Sequence, residues 1–268
     1  MKCGISTACL YPQNTLDCMR TTAALSPSCA EVFLNTFSEL DQPYVDSLRQ
    51  IQKEHNLQVV SVHPFSSEME SFFFFTDYEP RFEDGLRLYR RYFEVCNQLG
   101  AKILVFHGNR SGRVEVPMEK YAQRFCRLCA EGEKYGILVA HENVGRCQCG
   151  HPEEILRLRR LADRPIHFVL DLKQSLRADV DPLDMVDAMG AQNICHLHLS
   201  DADLHSDCKL PGKGQFRFEQ LFRKLYAGGF AGNAVIELYR AGFDTPQQLL
   251  EASGSIQRLA NSIKEEIL

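Results

Sequence analysis

No stretch of the 268-residue chain approaches the roughly 20 consecutive apolar residues that a helix needs to cross a bilayer, and the opening Met1-Lys2-Cys3-Gly4 lacks the apolar core of a secretion signal. A cytoplasmic protein with no membrane partner is the expectation. Positive charge is not in excess either: the formal net charge is -5, so no basic field attracts a phosphate backbone and nucleic acid is a poor candidate partner. No segment is starved of apolar residues, since hydrophobic residues make up 44% and charged ones 24%, and a disordered region is therefore not expected. The eleven cysteines are odd in number and scattered, which excludes a closed disulfide framework and leaves reduced thiols that pack as small hydrophobes. Cys126-x-x-Cys129 falls on one face of a helical pattern, and Cys147-Gln148-Cys149 with His151 reads as packing before it reads as a zinc loop. Phosphate-loop and nucleophile-elbow patterns, GxGxxG, GxxxxGK[ST] and GxSxG, are missing altogether.

What the chain does contain is a repeated unit. Apolar runs suited to buried strands occur at Lys2 to Ser6, Ala30 to Leu34, Gln58 to Val62, Lys102 to Phe106, Gly136 to Glu142, Ile166 to Leu170, Asn193 to Leu199 and Ala234 to Leu238. Helical patterns separate them: Thr15 to Leu25, Tyr44 to His55, Arg81 to Leu99 stopped by Gly100, Met118 to Tyr135, Glu153 to Leu161, Pro182 to Met189, Phe216 to Tyr226 and Pro246 to Ile267. Eight strand-helix units with no linker between them predict one domain over 1–268, a (β/α)8 TIM barrel, whose usual size is about 250 residues. A doubly wound open sheet is the alternative, but it is expected to carry the glycine-rich loop that is missing here. The connection through Phe72-Phe73-Phe74-Phe75 is longer than a barrel turn needs, and is expected either to wall a substrate pocket or to form a hydrophobic flap or subunit contact.

Polar residues stand where the strands end. His63, His107, Glu142, Asp171, His198 and Glu237 close six successive apolar runs, and in a TIM barrel those ends converge on one mouth. Any one of them alone is commonly structural. Three carboxylates aimed at one mouth repel one another, and a divalent cation removes that cost while using neutral histidine as a nitrogen donor. His196 and His198 share one side of their strand, with His196 expected to support a ligand and His141 to face the helices.

The ordered segments Val139-Ala140-His141-Glu142-Asn143, Val169-Leu170-Asp171, His196-Leu197-His198-Leu199-Ser200-Asp201, Leu210-Pro211-Gly212-Lys213-Gly214 and Val235-Ile236-Glu237 resemble those of the xylose isomerase-like barrel superfamily, especially its sugar and sugar phosphate isomerases and epimerases. The resemblance implies a divalent metal, Mn, Mg or Zn, held by Glu142, Asp171, His198 and Glu237, with Glu142 and Glu237 as the catalytic pair exchanging a proton with an enediolate of a small sugar or sugar phosphate. It also implies a homo-oligomer.

Endonuclease IV, a trinuclear zinc phosphodiesterase, belongs to the same superfamily and is the second reading. His63 and His107 match positions of a second metal, but Gln174, Ser206 and Cys208 stand where ligands to a third would be. Lys173, Gln174 and Arg240 are candidate substrate-binding residues, with Lys173 weighed against a simple pairing with Asp201, and Lys213 is a further candidate for a substrate anion.

Overall fold

The computed structural model describes residues 1–112 and 116–267. Eight parallel strands close into a barrel: β1 (Cys3–Ser6), β2 (Ala30–Leu34), β3 (Val59–Pro64), β4 (Ile103–Phe106), β5 (Leu138–Glu142), β6 (His167–Asp171), β7 (Ile194–Leu199) and, after a small antiparallel hairpin β8 (Asp201–Asp203) and β9 (Ser206–Lys209), the last barrel strand β10 (Asn233–Ile236). The TIM barrel expected from the sequence is the fold. Each barrel strand is buried on both faces, which is why the sequence shows continuous apolar runs here instead of polar-apolar alternation.

Alternation survives in another form. Leu104, Phe106, Val139, Phe168, Leu170, Leu197 and Ile236 point outward into the main core beneath the helices, whereas Ile103, Val105, Ala140 and Val169 form a separate small cluster inside the barrel. Side chains two residues further along each strand stay on the inner face, so Ala140 leads to Glu142, Val169 to Asp171 and His196 to His198. Register then sets the height. Asp171 pairs directly with His198 across β6 and β7, and Val235 on β10 pairs with His198 as well.

The outer layer consists of α1 (Thr15–Leu25), α2 (Gln42–Glu54), α3 (Glu70–Phe74), α4 (Glu79–Leu99), α5 (Met118–Glu133), α6 (Pro152–Leu161), α7 (Leu172–Arg177), α8 (Pro182–Met189), α9 (Phe218–Ala227) and α10 (Pro246–Ile267). Local chemistry fixes their ends. Asn14 caps α1 by accepting from the Asp17 amide at 3.0 Å, Asp181 caps α8 with Pro182 as its first residue, and Gly100 closes α4 in the left-handed region at φ 73°. The short elements α3, α7 and the β8–β9 hairpin were not expected, because each is too brief to show a period. The final strand is also shorter than expected and stops at Ile236, which leaves Glu237 just beyond it.

Of the two expectations for the phenylalanine run, the pocket wall is the one that fails. Phe74 and Phe75 are buried, with Phe74 edge-on to Tyr89 at 4.9 Å and Phe75 stacked on Tyr121 at 4.3 Å, so the run is core packing between α3 and the barrel wall, and none of its four rings lines the barrel mouth. Of the four, Phe72 is the exposed one, covered on one side by the Arg81 guanidinium 4.3 Å from its ring centre. Among the described residues no helix is long and apolar enough to cross a membrane.

Candidate metal centre

The inner-face residues at the C-terminal strand ends gather around His198. Its Nδ1 lies 3.7 Å from Glu142 Oε1, 3.8 Å from Asp171 Oδ2 and 3.6 Å from Glu237 Oε2. Its other nitrogen, Nε2, donates to Glu31 Oε2 at 3.1 Å, which leaves Nδ1 facing the three carboxylates. Four residues expected at one mouth therefore do meet there. Glu142 Oε2, Asp171 Oδ2 and His198 Nδ1 are all buried and make no hydrogen bond of good geometry, their near neighbours being the charged and imidazole groups of the cluster itself. Buried carboxylates crowded in this way cost free energy, and the three that meet at His198 Nδ1 make a site that fits a cation. Bonds of roughly 2.0–2.2 Å to a divalent ion place its ligand atoms about 3.0–3.6 Å apart, close to the spacings found around His198.

The carboxylates around His198 favour positive charge there, whether a proton on Nδ1 or a cation in that proton's place. Burial alone would push the His198 imidazole down, but Glu31, Glu237 and the other carboxylates outweigh it and hold its pKa well above the ordinary value. Burial raises the Asp171 carboxyl more than Lys173 lowers it. For Glu142, burial is outweighed by His107 and its histidine neighbours, and the carboxyl is held well below its usual range.

A second donor set shares Glu142. His107 Nε2 lies 3.0 Å from Glu142 Oε2 and 3.0 Å from His63 Nε2, and His63 Nε2 is 3.6 Å from the same carboxylate oxygen. His63 is fixed by stacking on Phe33 at 4.6 Å, and His107 by its backbone, whose amide donates to Glu70 Oε2 at 2.9 Å. The turn after His107 needs glycine: Gly108 has φ 90°, and a Cβ there would sit 2.0 Å from the Tyr121 hydroxyl.

Lys173 is buried against this cluster. Its Nζ donates to Glu237 Oε2 at 2.8 Å and lies 3.3 Å from Asp171 Oδ2, so its carboxylate partners are Glu237 and Asp171 and not Asp201. Asp201 instead accepts from the amides of Gly212, Gly214 and Phe216 at 2.8, 3.0 and 2.9 Å and closes the turn after the hairpin. Gln174 accepts from the Gly145 amide at 3.3 Å through its side-chain carbonyl. Arg240 donates to the Phe243 carbonyl at 2.8 Å. Both, with Lys173, line a cavity of about 630 Å³ above the cluster, whose floor includes His63, His107, Glu142 and Glu237 and whose walls include Tyr11, Phe33, Phe65 and Tyr239. Lys213 lies elsewhere, in a separate hollow with Cys208 and Phe243. His141 faces the helices as expected, with Nε2 2.7 Å from the Tyr121 hydroxyl.

The sequence pattern of the xylose isomerase-like TIM barrel family matches residues 23–260. The chain belongs to that family. The uncharacterized protein ML2432 of Mycobacterium leprae (strain TN) is 26% identical over 263 residues, covering 89% of each chain. Among solved structures, a D-tagatose 3-epimerase-like protein superposes with a TM-score of 0.81 at 18% identity over 100% of both chains. The IOLI protein with a binding zinc atom superposes with a TM-score of 0.74 at 17% identity, over 100% of this chain and 99% of the other. At these identities the two structures share the fold of the xylose isomerase-like family with this chain.

Two residues at the centre were not singled out in the sequence. Glu31 is the second residue of β2 and looks like one polar residue inside an apolar run, but it is completely buried against His198. Its parity with Phe33 places it on the inner face, and that was the available signal. Asn143 comes directly after Glu142 and spans to the next strand, accepting from the Asp171 amide at 2.8 Å and donating to the Asp171 carbonyl at 3.0 Å, which locks the two carboxylate-bearing strand ends together.

Proposed function

We propose that the protein is a divalent-metal-dependent isomerase or epimerase of a small ketose, free or phosphorylated. The observation that carries this reading is the convergence of three carboxylates, those of Glu142, Asp171 and Glu237, to 3.7, 3.8 and 3.6 Å from His198 Nδ1, beside a cavity that Glu142 and Glu237 line. The ion that Glu142, Asp171, His198 and Glu237 would hold supplies Lewis-acid polarisation of a substrate carbonyl and its neighbouring hydroxyl. Glu142 and Glu237 then do the proton work. They stand on β5 and after β10, with β6 and β7 between them, so they approach a bound substrate from different sides. One carboxylate takes the proton from the carbon next to the carbonyl; in epimerisation the other carboxyl, protonated at the start of the turnover, gives its own proton to the opposite face of that carbon, and in isomerisation the proton goes to the neighbouring carbon while the hydroxyl proton passes to the former carbonyl oxygen. Lys173 keeps a positive charge against Glu237 and at the cavity wall, where it favours negative charge developing on a substrate oxygen.

The D-tagatose 3-epimerase-like neighbour supports a ketose as substrate, and the zinc of the second neighbour supports a metal in this fold. A phosphodiesterase of the endonuclease IV type is favoured by one observation, the second donor set of His63, His107 and Glu142. Against it, Gln174 and Ser206 engage their oxygens with the Gly145 and Cys208 amides, and no third donor set involving Cys208 occurs among the described residues. Incubating the metal-loaded protein with candidate ketoses in deuterated water tests the proposal, since enolisation exchanges the carbon-bound proton. Deuterium at the carbon next to the carbonyl is the expected result; no incorporation into any ketose, beside cleavage of abasic DNA, would reverse the preference.

A further inference from the structure

Glu31 has no contact with the cavity, yet both oxygens of its carboxylate are engaged beneath the proposed metal ligands. Oε1 accepts from Ser6 Oγ at 3.1 Å; Oε2 accepts from Ser61 Oγ at 2.8 Å and from His198 Nε2 at 3.1 Å, with His196 Nε2 3.3 Å away. The carboxylate thereby ties β1, β2, β3 and β7 together on the barrel floor. We infer that Glu31 is a positioning residue for the metal centre: by accepting the Nε2 proton of His198 it holds the Nδ1 lone pair toward Glu142, Asp171 and Glu237, and its charge strengthens that nitrogen as a donor to a divalent ion.

The hydrogen bond made by one imidazole nitrogen decides which nitrogen carries the proton, and a carboxylate partner makes the other nitrogen a better ligand. A proton on Nδ1 would occupy the space that the carboxylates leave for a cation. The inference rests on the metal reading above and adds a residue to it. The competing view is that Glu31 only braces four strands. That view expects a loss of stability with no selective loss of metal.

Glu31→Gln separates the two, because the amide oxygen can replace Oε2 while the amide nitrogen donates to Ser6 Oγ, so that shape is kept and charge is lost. On protein stripped of metal, the Kd for Zn²⁺ or Mn²⁺, measured by chelator competition, is expected to rise about 10–100-fold in this variant. Ser61→Ala, which removes a donor to the same oxygen without touching His198, is expected to keep the wild-type Kd. A folded Glu31→Gln protein with the wild-type Kd overturns the inference, as does an equal loss in Ser61→Ala. Nitrogen NMR of the metal-loaded wild type gives a check that needs no variant: the expected spectrum has His198 coordinating through Nδ1 with Nε2 protonated, and coordination through Nε2 overturns the inference. Wild-type protein that binds neither ion overturns the metal reading and this inference together, whereas tight binding without proton exchange into any ketose overturns only the substrate reading.

Discussion

Lys173 Nζ lies 2.8 Å from Glu237 Oε2, and this tethered cation sits in the same buried cluster as His198. Burial alone would raise the Glu237 carboxyl, but Lys173 and then His198 outweigh it and bring it down to about 2. Burial likewise opposes the charge on Lys173, and Asp171 and Glu237 hold its pKa well above the ordinary value. The cluster thus favours the ionised form of Glu237, the form that binds a cation.

The pair makes stability depend on pH in a defined direction. Glu237, depressed in the fold, contributes stability above its unfolded pKa of about 4.3, and that contribution is lost as pH falls toward 2. Lys173, raised in the fold, contributes fully below about 10.4 and loses its share only as pH rises through its folded value. Lys173→Met strands two buried carboxylates. In metal-free protein it is expected to cost about 3–5 kcal/mol at pH 8, with the gap to wild type narrowing below pH 5 as Glu237 and Asp171 take up protons. Urea unfolding at several pH values measures this, and a gap that stays constant with pH would be the contrary outcome.

Glu142→Gln and Glu237→Gln each remove a carboxylate that holds the ion and moves the proton. Each is expected to lower turnover by at least about 10³-fold while the circular dichroism spectrum stays that of the wild type. Activity retained in both variants would contradict the assignment of the proton-transfer pair.

Removing divalent ions with a chelator is expected to lower the unfolding temperature, and restoring them to raise it. At a free ion concentration a hundredfold above Kd the gain is about 2.7 kcal/mol, which for a chain of this size is roughly 5–10 °C. The gain is expected to vanish in His198→Ala. Calorimetric scans with and without the ion read both effects.

The phenylalanine run gives a stability test independent of the site. Phe74 is 1% exposed among Tyr89, Phe82 and Phe106, whereas Phe72 is 47% exposed. Phe74→Ala is expected to cost about 3–5 kcal/mol, and Phe72→Ala no more than about 1 kcal/mol, the worth of an exposed cation–π contact. Equal costs in urea unfolding would contradict the core placement.

The barrel and its ring of polar strand ends were legible in the sequence because both arise from periodicity: each apolar strand stops at the barrel mouth, and the polar side chain at its end is left facing into it. The pairing of Lys173 was not legible, since it depends on how α7 turns back from Asp171 over the cluster, and sequence position alone does not separate Asp201 from Glu237 as its partner. Glu31 was hidden for another reason. Its parity with Phe33 gives the inner face, but in a strand buried on both faces nothing in the sequence names its partner until the closing of the barrel brings His198 opposite. The phenylalanine run stayed open between a pocket wall and hydrophobic packing because aromatic exposure is decided by α3, an element too short to announce itself.

The most direct test of the central claim is a crystal structure of the protein loaded with Zn²⁺ or Mn²⁺, with the ion located by its anomalous scattering. The expected result is a peak within roughly 2.0–2.2 Å of one atom each of Glu142, Asp171, His198 and Glu237, with His198 bound through Nδ1. A fully loaded crystal with no peak there, or with an ion that leaves Asp171 and Glu237 bound to Lys173 alone, would contradict it.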